Sequence, residues 1–208
     1  MDTWTFGDAL RGSIARNLSQ LTAPPAYPHT LKHAAVCLIV ADDGAGNAAL
    51  ILTLRPATMR RHASQFAFPG GRVDEGETVL QAALRETREE IGLELPESSM
   101  LGRLDDYPTR SGYLITPLVA WAPGALAMQA NPHEVAEIHR IPFGDLARPG
   151  SPQFVAIAES ERPVIRYPLL GTTIHAPTAA LMYQFMEVAV HGRDTRVAHL
   201  EQPTWAWR

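Results

Sequence analysis

Three glutamates crowd the stretch RETREEIG at residues 85–92, namely Glu86, Glu89 and Glu90. Carboxylates three and four residues apart share one face of a helix, because each residue turns the chain by about 100°. Groups held ~6 Å apart would repel by a few kcal/mol per pair at an effective dielectric of ~20, and by much less if fully solvated. Two readings follow. A solvated acidic face, with Arg85 four residues before Glu89, needs no ligand. An oxygen-loving divalent cation would instead relieve the repulsion outright, and Mg²⁺ takes carboxylates together with substrate phosphates.

The helix carrying these residues is the best-marked element of the chain. Thr78 and Gln81 have the capping-box spacing, and Gly92 stands where a left-handed residue ends a helix, so the pattern predicts a helix from Thr78 to Ile91. On the wheel Leu80, Leu84, Thr87 and Ile91 form the core-facing stripe. The glutamates fall on another face, with Ala82 and Ala83 flanking it and leaving room above the carboxylates. Just upstream, FPGGRVDEGE supplies Gly70 and Gly71, which permit close backbone approach. It also supplies Glu77, from where a salt bridge can reach back to Arg85.

The rest of the chain supplies a scaffold. Phe6, Leu10, Ile14 and Leu18 predict an amphipathic helix over 5–20, followed by the proline-rich arm TAPPAYPHT. Residues 34–41 and 47–53 read as a hairpin around DDGAGN near a sheet centre, since both runs are almost continuously apolar. An extended piece over 64–69 leads into Pro69–Gly71, where no regular structure is expected. Further strands are expected at 113–121, with Pro117 marking an edge or bulge, and at 134–141. A second hairpin is expected over 153–158 and 163–168 around ESERP, and a C-terminal helix over 176–190. The tail QPTWAWR carries no pattern. The expectation is a mixed α/β (α+β) chain, with an N-terminal helix and arm (1–30), one catalytic-size domain (31–192) and a tail (193–208).

Composition narrows the partners. The 208 residues are 46% hydrophobic and 19% charged, enough for a sizeable core. A formal net charge of −4 provides no basic field for a nucleic-acid backbone. Lys32 is the only lysine, so local cationic help must come from arginine, whose fork suits phosphate. Cys37, the single cysteine, excludes an intrachain disulfide and suggests a reducing compartment. The N-terminus lacks the basic start and apolar core of a secretory signal, and no apolar run reaches the ~20 residues of a membrane span. A cytoplasmic protein with no membrane partner is therefore expected. A homodimer is allowed for, without any sequence feature that specifies it. His133 and His139 would lie ~20 Å apart along one strand, too far to share zinc.

The order Gly71, five residues, Glu77, seven residues, Arg85-Glu86, then Glu89-Glu90 and Gly92-Leu93 resembles the Nudix hydrolase signature. Thr87 alone departs, standing where that family has an aliphatic residue. The resemblance implies an α/β/α sandwich around a mixed sheet, with extra terminal helices here, and hydrolysis of a nucleoside diphosphate derivative with Mg²⁺ or Mn²⁺. It also implies Glu86 and Glu90 as metal ligands, Glu89 as the next candidate, and Gly71 beside them. Glu77 and Arg85 would orient helix and loop. The general base varies among Nudix branches, and Glu134 and Glu137 are the distal candidates here, unless they are ordinary exposed strand residues.

Residues 51–71, ILTLRPATMRRHASQFAFPGG, resemble the additional motif of the coenzyme A pyrophosphatase branch. Leu52, Thr53, Arg55, Arg60 and Phe68-Pro69-Gly70-Gly71 match in register, while His62 and Gln65 fit common branch sequence. Pro56 replaces a small residue and Ser64 replaces a glycine, which could not be exchanged freely if it needed positive φ. IHAPTA (174–179) resembles a further branch motif. Arg55, Arg60, Arg61 and His62 suit a substrate with an additional phosphate, such as the 3′-phosphate of coenzyme A. Other nucleoside diphosphate derivatives, ADP-ribose or a dinucleotide, remain open as substrates. So does a non-catalytic nucleotide-binding regulator, although all the signature glutamates are present.

Overall fold

The computed structural model describes residues 4–22, 27–28, 30–58, 63–122, 124 and 126–207. Helix α1 (Asp8–Gln20) buries Ile14 and Leu18, and Phe6 just ahead of it stacks on Trp121 at 4.3 Å. Strands β1 (Lys32–Asp42) and β2 (Ala48–Leu54) form the expected hairpin, whose turn is held by the Asp42 and Asp43 carboxylates accepting from Gly44 and Ala45 N–H groups. β1 is apolar without alternation because both its faces are covered. Ala35, Cys37, Ile39 and Ala41 join the core on one side, Leu38 and Val40 the core on the other.

The glycine stretch is more ordered than its sequence suggests. After the short β3 (Phe66–Ala67), residues Gly70–Arg72 form β4, antiparallel to β1 with Gly71 opposite Ala35. A Cβ on Gly70 would stand 2.3 Å from the Ala35 carbonyl, so the strand can dock only because the side chain is missing. Ser64, the residue standing where the branch motif has glycine, does take the left-handed conformation, with φ 56°. Its N–H donates to the Arg55 carbonyl at 3.1 Å and Arg55 N–H donates to the Gln65 carbonyl at 3.0 Å, closing the loop between them.

Helix α2 (Val79–Ile91) follows, then β5 (Met100–Arg103), β6 (Tyr107–Pro108) and β7 (Tyr113–Trp121). β7 runs parallel to β1 and is internal, so Pro117 marks neither an edge strand nor a bulge in β7. Its carbonyl accepts from Leu104 where the neighbouring partner changes from β5 to β6, an interruption that tolerates a missing donor. β8 (Glu137–Pro142) pairs with β2 and starts three residues later than its apolar pattern suggests, because 132–134 form a turn. The eight-stranded mixed sheet has the main order β3-β2-β1-β7-β5.

The short α3 (Phe143–Leu146) leads to a separate three-stranded sheet of β9 (Gln153–Ile157), β10 (Ser160–Leu169) and β11 (Thr172–His175). Much of ESERP lies inside β10, and β11 was hidden by its polar composition. Helix α4 (Thr178–Gln184) continues as a π-helical stretch (Phe185–Val190). α2 packs on one face of the main sheet, while α1 and α4 pack on the other, giving α/β/α layers. The tail is anchored to this body: Glu201 pairs with Arg110, Gln202 Oε1 accepts from Arg110 N–H at 2.7 Å, and Trp207 lies under the same guanidinium.

Candidate active site

The capping expected of α2 is present at both ends. Thr78 Oγ1 accepts from Gln81 N–H at 3.2 Å, Gln81 Oε1 accepts from Thr78 N–H at 2.8 Å, and Gly92 closes the helix with φ 66°. The wheel needs correction on one point. Ala82 and Ala83 do not flank an open face; both are fully buried with Thr87 and Ile91, whereas Leu80 and Leu84 are only partly covered. Small side chains let the helix lie close on β1 and β4, and this draws Glu90 into the interface, where it is 2% exposed. Thr87 fits the apolar position by donating its hydroxyl to the Ala83 carbonyl at 2.7 Å.

Arg85 organises the acidic face. Its Nε and Nη2 donate to the two Glu77 oxygens at 2.9 and 3.0 Å. Nη1 donates to Glu86 at 2.8 Å and to Glu89 at 3.1 Å, and Nη2 also reaches the Arg72 carbonyl. Hydrogen bonds from Arg85 hold the Glu77 carboxyl below its usual range, and Glu77 in return caps Asp74 N–H. The loop 72–77 is thereby fastened to the first half of the helix.

Glu86, Glu90 and Glu134 converge, each offering an oxygen within 4.8 Å of the others. Glu134 reaches them through its loop. Gln129 and Asn131 N–H groups donate to the Ile91 and Glu90 carbonyls at 2.9 Å each, satisfying acceptors that a helix C-terminus leaves open. Ala136 N–H then joins the Leu54 carbonyl at 2.7 Å, so the turn carrying Glu134 is held at both ends. Burial raises the Glu86 pKa against the pull of Arg85. Burial pushes Glu90 up to about 8; Arg55 and the Gly70 N–H oppose this, while Glu86 and Glu134 add to it. Three carboxylates in this space cannot all ionise comfortably without a cation.

Two further contacts shape the space. A Cβ on Gly71 would fall 2.2 Å from Glu86 Oε1, so this glycine leaves room for the carboxylate. Arg55 brings Nη1 to 3.9 Å from Glu90 Oε1, and its buried Nε has no hydrogen-bond partner among the described residues. Sequence gives no sign of Gln129 and Asn131, because their role is a backbone one. Glu89 lies apart from the converging group, exposed and turned to Arg85. Glu137 is also outside it, with Oε2 2.9 Å from His139 Nε2. Arg60, Arg61 and His62 fall outside the described residues, as does Met59. His133 lies in the turn and His139 in β8, so the two do not share a strand.

Among the described residues the donor set of the cluster is all carboxylate oxygen, which fits a hard divalent cation such as Mg²⁺ or Mn²⁺. A cation there would neutralise diphosphate oxygens and lower the pKa of coordinated water. An α/β/α fold that sets a capped acidic helix and a glycine strand around one carboxylate cluster can hold a divalent cation against a phosphoanhydride.

The family model for the NUDIX domain matches residues 31–161. The chain is 39% identical over 134 residues to an uncharacterized Nudix hydrolase NudL of Photorhabdus laumondii, covering 62% of this chain and 70% of that one. It is 32% identical over 143 residues to the NudL of Yersinia enterocolitica, covering 68% and 72%. A MutT/nudix family protein from Enterococcus faecalis superposes with a TM-score of 0.55 at 16% identity, over 88% of this chain and 77% of that chain, a likeness of fold. The chain belongs to the Nudix family and is a hydrolase of nucleoside diphosphate derivatives, a group that generally uses divalent metals. Among the described residues, no helix is long and apolar enough to cross a membrane.

Proposed function

We propose that this protein is a Mg²⁺- or Mn²⁺-dependent diphosphatase of coenzyme A or its acyl derivatives. Water attacks one phosphorus, the P–O–P bridge breaks, and the products are 3′,5′-ADP and 4′-phosphopantetheine or its acyl form. Glu86 and Glu90 hold the cation, with Gly71 keeping the space for Glu86 open. Glu134, brought over the same space by its hydrogen-bonded turn, accepts the proton of the attacking water. Arg85 and Glu77 fix the helix and loop, while Glu89 acts only through Arg85.

The observation that carries the substrate reading is Arg55. It is the first arginine of the coenzyme A-like motif, and its guanidinium stands 3.9 Å from Glu90 with a buried donor that has no partner among the described residues. A donor so placed suits a phosphate oxygen of the bound diphosphate. The motif thus meets the acidic helix at Arg55 as well as at Gly70 and Gly71. The test is to offer coenzyme A, ADP-ribose, NADH and nucleoside triphosphates with Mg²⁺ or Mn²⁺ and weigh the products by mass. Cleavage of coenzyme A to the two named products, faster than the others, is expected. Intact coenzyme A beside cleaved ADP-ribose would reject the substrate. Tight binding of one compound with turnover of none would favour the regulator.

A further inference from the structure

A second cleft, of about 370 Å³, opens beside the segment that follows the Arg55 loop. Its walls include Ser64, Phe66, Thr173, His175, Thr178 and Trp205. They come from three places distant in sequence: the close of residues 51–71, the end of β11 with the start of α4, and the tail. The cleft is a built feature. Thr178 Oγ1 donates to the Phe66 carbonyl at 3.0 Å, tying α4 to β3. The tail that presents Trp205 is fastened by Arg110 to Gln202 and Trp207. Trp205, 54% exposed, meets His175 edge to face at 5.6 Å.

The cleft adjoins the site already described. Ser64 and Gln65 are hydrogen-bonded through the backbone to Arg55, whose guanidinium lies beside Glu90. Ser64 keeps its left-handed backbone despite carrying a side chain, a conformation that costs a non-glycine residue and persists where surroundings enforce it. The described walls offer hydroxyls, an imidazole and a large aromatic ring. Burial, and then Arg166, hold His175 below its ordinary pKa, which keeps the ring neutral at neutral pH. This chemistry suits a flat, uncharged, hydrogen-bonding group.

We infer that this cleft is the nucleobase subsite, in which the base of the substrate stacks on Trp205 and hydrogen-bonds to the hydroxyl-bearing wall. The inference rests on the proposal above only in taking the substrate to be a nucleotide-bearing diphosphate. It gives the C-terminal tail a specificity role: Trp205 selects for a base without touching the bond that is cut.

The test is equilibrium binding to the full chain without divalent metal, comparing AMP with ribose 5-phosphate, which keeps sugar and phosphate and lacks the base. AMP should bind more tightly. Trp205→Ala should weaken AMP roughly tenfold, the size of one base–aromatic stack, and leave ribose 5-phosphate unchanged. Trp205→Phe, which retains a ring, should recover most of the loss, and melting curves check that both variants fold. Equal binding of the two probes, no AMP binding at millimolar concentration, or an unchanged AMP affinity in Trp205→Ala would each overturn the inference. Coenzyme A turnover is scored separately. Discrimination through Trp205 in a protein that spares coenzyme A would reject the substrate proposal and leave the base subsite standing.

Discussion

Gly71 and Glu86 share a space that holds only one of two side chains: a Cβ on Gly71 would stand 2.2 Å from Glu86 Oε1 and 2.5 Å from its Cδ. The glycine strand β4 and the acidic helix α2 are therefore one device. Gly71→Ala should push Glu86 aside while leaving the sheet formed. A displacement of ~1 Å at a catalytic group typically loses on the order of 100-fold in rate, and a comparable fall in kcat/KM is expected here. Wild-type activity in Gly71→Ala would show that the position of Glu86 is unimportant.

The carboxylates should separate by role. Glu86→Gln and Glu90→Gln should lose both metal affinity and turnover. Glu134→Gln should lose about 10²–10⁴-fold in kcat while still binding Mn²⁺, as removal of a general base does. Glu89→Gln should lose less than about tenfold, since Glu89 stands outside the converging group. Steady-state kinetics beside Mn²⁺ titration distinguish these patterns.

Arg85 should resist conservative replacement. A lysine ammonium cannot donate at once to both Glu77 oxygens and to Glu86. Arg85→Lys is expected to lose at least about tenfold in kcat/KM and ~1–3 kcal/mol of stability, measured by denaturant unfolding. Retention of both would mean that the Glu77–Arg85 bracket is dispensable.

The site's legibility follows the range of its interactions. Helix α2 was readable to its caps because Thr78, Gln81 and Gly92 act within four residues of their partners. The central hairpin was readable because continuous apolar strands demand cover on both faces. Pairing of β4 with β1 was not, because two glycines carry no apolar pattern and their partners Val36 and Ala35 lie more than thirty residues away. Glu134 was legible as a residue worth naming, but its approach to Glu86 depends on backbone bonds from Gln129 and Asn131 that any residue could make. Ser64 was readable as a departure, and its positive φ explains why glycine suits that place. Trp205 gave no signal, since its neighbours in the cleft come from elsewhere in the chain.

Acidity should tune the metal-free protein in an unusual direction. Glu90 has a folded pKa of about 8, against an ordinary 4.5, so between those values the folded state binds the extra proton. Stability from this group is therefore full below about pH 4.5 and falls as pH rises through 8, by a few kcal/mol at most. Without divalent cation the melting temperature should drop over this window, and Glu90→Gln should flatten the drop. Mn²⁺ competes with that proton, so its stabilisation should grow with pH. A melting temperature of the metal-free protein that is flat over the window, and identical in Glu90→Gln, would contradict the buried-acid reading.

The most direct test of the carboxylate cluster is Mn²⁺ titration of wild type, Glu86→Gln and Glu90→Gln at pH 8, read by calorimetry. The predicted result is binding in the wild type and an affinity at least about tenfold weaker in each variant, with far-ultraviolet spectra unchanged. Equal Mn²⁺ affinity in all three proteins would contradict the assignment of Glu86 and Glu90 as the residues that hold the metal.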